Sequence, residues 1–400
     1  MTPEKPLHNL QSLLDFARSQ NPELLAMRLE AAAARERVLP AGSLADPRLR
    51  VELMDVTRMG AQNPSVFPAR VGSAKYTLMQ DLPWPGKRDL KAQIASADAQ
   101  AVQSRAEQVW QDLAAQIKLA YTQWYAVTRQ TELARQTLDL MARLEQIAQL
   151  RYAHGLAPQQ DVIRAQLEQT AMRNELIMLE NDAAMLRLKI NTLLGRDLDA
   201  ALPAPEALPA LPAAVKLDVA VLRQRVSAKN PQLFVEDARI LSAEKSRELT
   251  AKNSYPDFTV GIAPVQTQRS VREWELMFEV NLPLQQAPRR AMERESDGML
   301  AAARARKVAL RNQVLGELAE QVLGLASSRQ IEMQLSQSLL PQAELNLASA
   351  LSAYENGKLD FATLLEAQQQ IRSARQNQIK AQVEAHLRLV AIEKLLGEEI

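Results

Sequence analysis

The sequence predicts a mostly α-helical fold with a few amphipathic β-strands, and three observations lead to that prediction. The composition is typical of long helices, because only 4% of the 400 residues are aromatic and there are 12 glycines. The pattern of segments occurs twice, in the same order. Within each copy, short runs alternate apolar and polar residues as strands do. A compact domain with an aromatic core is therefore not expected.

The composition excludes several classes of protein and of site. Lysine and arginine (48) balance aspartate and glutamate (47) and are interspersed with them, so nucleic-acid binding is not expected. The absence of cysteine excludes disulfides, thiolate metal sites and a lipid on a cysteine of this chain. No apolar run approaches the length of about 18 residues that a transmembrane helix needs. The opening residues lack the apolar core of an export signal, so any such signal is expected to have been removed.

Two copies of one pattern fill the chain. The segment NPEL at 21–24 returns 209 residues later as NPQL at 230–233, and YAHG at 152–155 returns 202 residues later as YENG at 354–357. Because the order of the matching segments is kept, an internal duplication is expected. Further matches are Asp46-Pro47-Arg48 with Tyr255-Pro256-Asp257, Leu82-Pro83 with Leu282-Pro283, and Leu193-Leu194-Gly195 with Leu395-Leu396-Gly397.

The predicted boundaries follow from this duplication. The first structural repeat covers residues 1–200, a proline-rich linker covers 201–216, and the second repeat covers 217–400. Each repeat is predicted to contain a short helix, two strands, a long helix and a return helix. The strands are expected at about 48–57, 73–82, 257–266 and 272–282, the long helices at 87–150 and 287–350, and the return helices at 158–195 and 358–396.

Helix lengths constrain how these elements pack. The first long helix, with apolar residues at coiled-coil spacing, would measure about 96 Å at 1.5 Å per residue. Its return helix has only 38 residues and cannot cover it alone. The short helices predicted at 8–40 and 217–249 supply the missing length if each stacks end to end with a return helix. Continuous helices alternating with stacked pairs are therefore expected.

The strands have one apolar and one polar face. In the last strand Trp274, Leu276, Phe278 and Val280 alternate with acidic residues and Met277. Alternation alone fits equally a hairpin on a soluble core and a strand of a membrane β-barrel. The helices have little apolar surface to spare for covering the strands, which favours the barrel. Four strands are too few to close a barrel, so several chains would have to share it.

The strand-to-helix switch in DLPWPGKRDL, residues 81–90, recurs in NLPLQQAPRR, residues 281–290. Prolines end the strand and start the helix, which places a rim between sheet and helix. Four cations lie at the helix starts, where the helix dipole disfavours them. Either lipid head-group phosphates compensate them or they are simply solvated. The rim residues are Trp84, Lys87, Arg88, Arg289 and Arg290.

Over nearly its whole length the chain resembles the TolC-like outer membrane factors. The resemblance rests on the duplicated layout, the NPxL segments, YPDF at 255–258, the LPxPGK-type rim, the YxxG turns and the final LLG. It implies a mostly α-helical chain with a membrane β-barrel, assembled as a homotrimer with a 12-stranded β-barrel and a 12-helix α-barrel, three times four of each. It also implies an outer-membrane location with the helical tunnel in the periplasm.

The resemblance implies roles for the two helix turns. The adaptor-contact tips would be Gly155, Leu156, Gly357 and Lys358. The periplasmic gate would include Glu366 as an acidic ring residue and Asp161 as a carboxylate linked to Tyr354. Thr363 stands where a second ring acid is expected, and Asp360 either substitutes for that acid or caps its helix, with capping favoured.

The expected function is a passive exit duct without chemistry of its own. No nucleotide loop, catalytic triad or metal cluster is present in the sequence, so no enzyme activity, cofactor or metal site is predicted. The implied partners are further copies of the chain, a periplasmic adaptor, an inner-membrane resistance-nodulation-division pump and outer-membrane lipid. The DLPWPGKR form is most similar to heavy-metal efflux members. Alternatives are a drug-efflux or type I secretion channel and, in another class, a soluble coiled-coil scaffold.

Overall fold

The computed structural model describes residue 7 and residues 9–400, so residues 1–6 and 8 lie outside the description, including the first residue of the predicted helix 8–40. Most of the described chain is helical. The helices are α1 (Leu10–Gln20), α2 (Pro22–Glu36), α3 (Val38–Gly42), α4 (Lys87–Ala153), α5 (Gln159–Leu194), α6 (Val219–Lys229), α7 (Pro231–Lys252), α8 (Gln286–Gln334), α9 (Leu340–Glu355) and α10 (Phe361–Leu396). The strands are β1 (Arg48–Met54), β2 (Ser73–Leu82), β3 (Asp257–Thr267) and β4 (Ser270–Asn281).

The four strands form one antiparallel sheet in the order β1-β2-β3-β4. The two hairpins therefore meet through β2 and β3, which come from different repeats, and β1 and β4 are the edges. β1 ends at Met54, three residues before the predicted end, because Asp55 adopts a left-handed backbone conformation (φ 52°) and starts a series of turns. A register shift between Val265 and Gln266 bends the end of the second hairpin.

The helices predicted at 8–40 and 217–249 are each interrupted, which corrects those two predictions. Pro22 and Pro231 disfavour helical backbone at the residue before them, and Asn21 and Asn230 are accordingly extended (ψ 123° and 118°). The Asn21 amide donates to the carbonyl oxygen of Leu193 at the end of α5 (2.8 Å) and its oxygen accepts the Leu24 N–H (2.9 Å). The NPxL segment is thus a helix junction.

The second repeat forms the same junction. The Asn230 amide donates to the carbonyl oxygen of Leu395, near the end of α10, over 2.8 Å. The return helices α5 and α10 end at Gly195 and Gly397, both left-handed (φ 68° and 75°), as helix C-caps often are. A proline, an asparagine and a capping glycine therefore place the start of α2 against the end of α5, and the start of α7 against the end of α10.

The second long helix also differs from the prediction of one helix over 287–350. It begins at Gln286 and contains a π-helical turn, Leu335–Leu339, between α8 and α9. Such a turn widens the helix by one residue and shifts the phase of the side chains that follow it. No helix in the described part of the chain is both long and apolar enough to cross a bilayer.

The chain divides into two compact units that cut across the repeats. The first comprises the described residues of Met1–Ala26 together with Glu107–Pro231 and Arg311–Ile400, and it contains the helix turns. Its core joins α1, the middle of α4 and the end of α5 through Leu13, Ile117, Trp124 and Ile190. The second comprises Met27–Ala106 and Gln232–Leu310 and contains the sheet.

Candidate functional site

The turns between α4 and α5 and between α9 and α10 have the same backbone geometry. Gly155 and Gly357 are left-handed (φ 67° and 74°), and each donates its N–H to the tyrosine carbonyl three residues earlier. The next residue, Leu156 or Lys358, donates to the carbonyl five residues earlier over 2.8 Å in both turns. This pair of backbone hydrogen bonds is the Schellman motif, whose left-handed position favours glycine. Leu156 and Lys358 are consequently held exposed beside the two glycines.

Beside these turns the predicted pair of Asp161 and Tyr354 is in contact. The Tyr354 hydroxyl donates to Asp161 over a long 3.5 Å, and both residues are buried. The Tyr354 ring meets Phe361 edge to face at 5.5 Å between centroids. The Arg151 guanidinium also lies over the tyrosine ring, 4.6 Å from its centroid, and donates to the Tyr354 carbonyl oxygen. Residues from α4, α5, α9 and α10 therefore converge on one tyrosine.

Burial dominates the electrostatics of this cluster. It raises the pKa of the Asp161 carboxyl above its ordinary value, although Arg164, the Tyr354 hydroxyl and Arg151 act in the opposite direction. Burial, followed by the negative charge of Asp161, also raises the pKa of Tyr354. Tyr354 is thus a neutral hydrogen-bond donor at physiological pH, and Asp161 takes up a proton more readily than an exposed aspartate does.

The packing around the pair ties both helix turns together. Met141 and Leu144 of α4, Ala165 of α5 and Leu364 of α10 form a buried apolar cluster with Tyr354. The residues are apolar at helical spacing, so each helix turns one stripe toward the cluster. The Asp161–Tyr354 contact is therefore packed against the ends of all four helices.

The other two predicted gate residues do not join this cluster. The Asp360 carboxylate caps α10 by accepting the Thr363 N–H over 2.8 Å, so it acts as the cap that the sequence favours. Hydrogen bonds from the Thr363 side chain and backbone lower the pKa of Asp360. Glu366 is exposed at a groove between α9 and α10 that also contains Asn346 and Gln370. It forms no ion pair with any described residue.

Arg151 is a member of this cluster that the sequence does not single out. The offset of 202 residues between the turns makes Ala353 its counterpart in the second repeat, just as Thr363 is the counterpart of Asp161. The two tyrosines also differ, because Tyr354 is 1% exposed and its counterpart Tyr152 is 48% exposed. The sequence signal for Arg151 is thus a departure from the internal repeat at a turn.

At the rim, the LPWPGK segment and the YPDF segment contact each other. Asp257, in the YPDF segment, accepts the Trp84 N–H and the Lys87 ammonium, each over 2.8 Å. Lys87 also donates to the Tyr255 carbonyl oxygen over 3.1 Å. The rings of Trp84 and Tyr255 stack at 5.0 Å. The segment LPWPGK thus joins β2 to α4 while fastened to the start of β3.

This geometry corrects the expectation for the rim cations. Lys87 is 5% exposed and paired with Asp257, so neither lipid phosphate nor water neutralises it. Arg88 donates to the Gly42 carbonyl oxygen (2.9 Å) and Arg289 to that of Asn253 (2.7 Å). Arg290 is exposed and has no ion pair with the described residues. Three of the four rim cations therefore donate hydrogen bonds to acceptors of the protein itself.

The sheet presents one apolar and one charged face. Trp274, Leu276 and Phe278 are 67%, 86% and 67% exposed, and Val280 is half-buried on the same side. On the opposite side Lys75 pairs with Glu275 over 2.5 Å. An exposed row of large apolar side chains on a sheet is unusual for a chain surrounded by water.

No group of three or more histidine and carboxylate side chains within residues 9–400 could hold a metal ion. The two histidines in this range, His154 and His386, belong to a helix end and to the middle of α10. His386 contacts the backbone carbonyl oxygens of Gln382 and Pro209, each at 2.8 Å, and so connects α10 to the linker.

Comparisons with known proteins agree with this picture. The profile of the family described as outer membrane efflux protein matches residues 13–196 and 222–398. The cobalt-zinc-cadmium resistance protein CzcC of Cupriavidus metallidurans is 23% identical over 395 residues, covering 97% of this chain and 90% of CzcC. Solved structures of outer-membrane channels also share the fold, and two of them serve as examples.

The first is the outer-membrane channel OprN, with 20% identity, a TM-score of 0.82 and coverage of 97% of this chain and 89% of OprN. The second is the outer membrane protein VceC of Vibrio cholerae, with 16% identity, a TM-score of 0.82 and coverage of 98% and 96%. At these identities the structural likeness establishes the fold alone.

Proposed function

Because the chain belongs to the outer membrane efflux protein family, whose members are channels and not enzymes, we propose that it is the exit duct of a tripartite efflux pump. In this role it conducts substrates passively from a periplasmic adaptor and an inner-membrane resistance-nodulation-division pump across the outer membrane. The active form is a homotrimer that combines a 12-stranded barrel, three copies of four strands, with a 12-helix tunnel in the periplasm.

The observation that carries this proposal is the sheet. It has four strands, open edges at β1 and β4, and an exposed apolar face at Trp274, Leu276 and Phe278. Open edges need partner strands, and an exposed apolar face needs a nonpolar surrounding. Three sheets closed edge to edge in a bilayer satisfy both needs at once. The charged face with Lys75 and Glu275 then lines the interior.

The helices support assembly from several copies. α5 exposes Ile163, Leu167, Met178 and Met185, each at least 47% accessible. Their spacings of 4, 11 and 7 residues are close to whole helical turns, so they form one uncovered stripe. Exposed Tyr152, the counterpart of buried Tyr354, is also available for a neighbouring chain. A soluble scaffold would leave the apolar sheet face unexplained.

The helix turns form the periplasmic mouth in this proposal. The contact of Asp161, Tyr354 and Arg151 holds α4, α5, α9 and α10 together, as a closed gate requires. Exposed Glu366, repeated on three chains, supplies an acidic ring that favours cations. The tips at Gly155, Leu156, Gly357 and Lys358 face the adaptor, and Asp360 only caps its helix.

The proposed cargo is a heavy-metal cation. The support is the similarity to CzcC, a cobalt-zinc-cadmium resistance protein, together with the acidic residues on the charged sheet face. Carboxylates spaced along a passage attract cations without holding them in a closed site. Cargo selection rests with the pump, because the described residues form no metal site.

Light scattering of the purified chain, with and without detergent, tests the proposal. A shared barrel predicts a protein mass of three times 44.5 kDa. This trimer should be stable only with a detergent belt. Subtracting the detergent contribution by refractive index and absorbance gives the protein mass alone. A monodisperse monomer or dimer in plain buffer would refute the duct and favour the soluble scaffold.

Charge reversal at the gate gives a second test. Glu366→Lys should lower cation conductance about twofold or more and shift the reversal potential toward anions, because the ring changes from negative to positive. Planar-bilayer recording in a salt gradient measures both. Glu344→Lys is a matched control, because Glu344 is an exposed acid of α9 that pairs with Arg375. Unchanged selectivity in Glu366→Lys would remove this residue from the gate.

A further inference from the structure

The end of the sheet opposite the helices carries four arginines. Arg58 and Arg70 belong to the β1–β2 connection, Arg269 belongs to the β3–β4 turn, and Arg272 is the third residue of β4. Only one acidic residue, Asp55, occurs in these two segments, residues 55–72 and 268–272. The strand register brings the segments to one end, because Met54 is opposite Ser73, Ser73 is opposite Thr267, and Thr267 is opposite Ser270.

These four end arginines have no counterion in the described part of the chain. All four are exposed, and none forms an ion pair there. The Asp55 carboxylate is occupied by the loop itself, because it accepts the Met59 N–H over 2.7 Å. The Arg70 guanidinium lies over the Phe67 ring at 5.6 Å, which orients it and leaves its charge uncompensated.

The opposite end of the same sheet is different. There Lys87 pairs with Asp257 and Arg48 with Asp81, over 2.8 and 2.7 Å. Arg289 donates to a carbonyl oxygen of Asn253. Cations without protein partners are therefore concentrated at the end of the sheet remote from the helices, whereas three of the four rim cations bind the protein's own acceptors.

The β1–β2 connection also exposes large apolar side chains. Met59, Val66 and Phe67 are 95%, 77% and 64% exposed. Arg58 and Met59 adopt left-handed conformations (φ 51° and 58°) that ordinary residues disfavour. Apolar groups beside cations match the head-group region of a bilayer, where chains and phosphates meet.

We propose that the four end arginines bind the phosphate groups of lipids in the outer leaflet of the membrane. The inference rests on the proposed function, which puts this end of the sheet at the outer surface. Guanidinium groups bind phosphate through paired, charge-assisted hydrogen bonds. Met59, Val66 and Phe67 enter the adjoining acyl region and anchor the loop.

The test uses the purified full chain in detergent. Its mass is measured first, and it is then titrated with lipid A carrying two phosphates, lipid A carrying one, and phosphatidylcholine, with bound lipid counted by native mass spectrometry. The variants are Arg58→Gln with Arg70→Gln, and Arg269→Gln with Arg272→Gln. Arg306→Gln with Arg311→Gln is the matched control, because both of these arginines are exposed on α8, away from the rim, without ion pairs to described residues.

Preference for the doubly phosphorylated lipid is expected. Affinity should fall about fivefold for each arginine removed, and so about 25-fold in each test pair, and should be unchanged in the control pair. Equal binding of all three lipids, or equal loss in the control pair, would overturn the inference. Displacement of lipid by millimolar inorganic phosphate would identify a free-phosphate site instead and would also overturn it.

The mass measurement distinguishes failure of the lipid site from failure of the proposed duct. A detergent-dependent trimer without phosphate preference refutes only the lipid site. A monomer in plain buffer refutes the lipid site and the duct together. Test pairs that dissociate the trimer while preserving the lipid preference would show that the loops contact one another, and the lipid assignment would then fail.

Discussion

Tyr354 illustrates how one side chain acquires a role from its position. Its ring is covered by Phe361 and Arg151, and its hydroxyl reaches Asp161. Tyr152 has the same place in the first repeat but lies half exposed. Identical residue types at equivalent positions thus differ because Asp161 and Arg151 have no counterparts of the same type in the second repeat.

The buried Asp161 predicts a specific pH dependence. Since its pKa is raised, the folded state binds a proton more tightly than the unfolded state. The stability from that proton is fully present below the ordinary pKa of aspartate and is lost as pH rises through the raised value. Acidification within this window should therefore stabilise the wild-type chain relative to Asp161→Asn.

Thermal unfolding of the two proteins in detergent, from pH 7 down to about pH 2, measures the difference. Asp360 provides an internal control of opposite sign, because its pKa is lowered. The stability that Asp360 contributes is present above the ordinary pKa and lost as pH falls through the lowered value. Asp360→Asn should therefore be less stable than the wild type at neutral pH, and this difference should disappear in acid. Parallel pH curves for wild type and Asp161→Asn would contradict the role of burial at Asp161.

At the scale of elements, the sequence predicts periodicity well and distant contacts poorly. Alternation in β4 correctly separates Trp274 from Glu275, because the period of a strand is local. The breaks at Asn21 and Asn230 are also encoded locally by the following proline, but were missed because the apolar pattern continues across them. Lys87 is different, since its partner Asp257 is 170 residues away and only the folded sheet brings them together.

The capping glycines give the prediction that belongs to the element scale. A Cβ at Gly397 would lie 2.8 Å from the Lys229 carbonyl oxygen and 2.9 Å from Pro231 Cδ, both rigid groups. A left-handed backbone conformation costs an alanine residue about 1–2 kcal/mol more. Gly397→Ala should therefore lower the free energy of unfolding by about 2 kcal/mol or more and loosen the junction of α10 with α7.

Thermal unfolding together with hydrogen exchange at the start of α7 would measure this loss. Gly316→Ala is the matched control, since Gly316 is exposed within α8 and its added Cβ would meet no atom within 4 Å. That substitution should stabilise the helix by up to about 1 kcal/mol. Equal effects at the two glycines would mean that the junction has no special packing.

At the scale of the whole molecule, a single chain is incomplete. The sheet has open edges and an apolar exposed face, and α5 carries an uncovered apolar stripe. The duplication gives two hairpins per chain, which is why the number of strands per chain could be read from the sequence. The number of chains could not, because closure depends on strand tilt and stagger between copies. The trimer is implied only by the family resemblance, and it therefore stays a proposal.

Arginine substitutions on the two sheet faces test this whole-molecule proposal most directly. If Trp274 and Phe278 face lipid, Trp274→Arg and Phe278→Arg should each cost about 2–4 kcal/mol near the bilayer centre and prevent barrel formation. Glu273→Arg is the matched control, because Glu273 is an exposed neighbour on the opposite face, which stays in contact with water. Urea-resistant, trimer-sized protein in isolated outer membranes measures assembly. Normal assembly of all three variants would show that this face does not contact lipid, and protein contacts would then have to cover it.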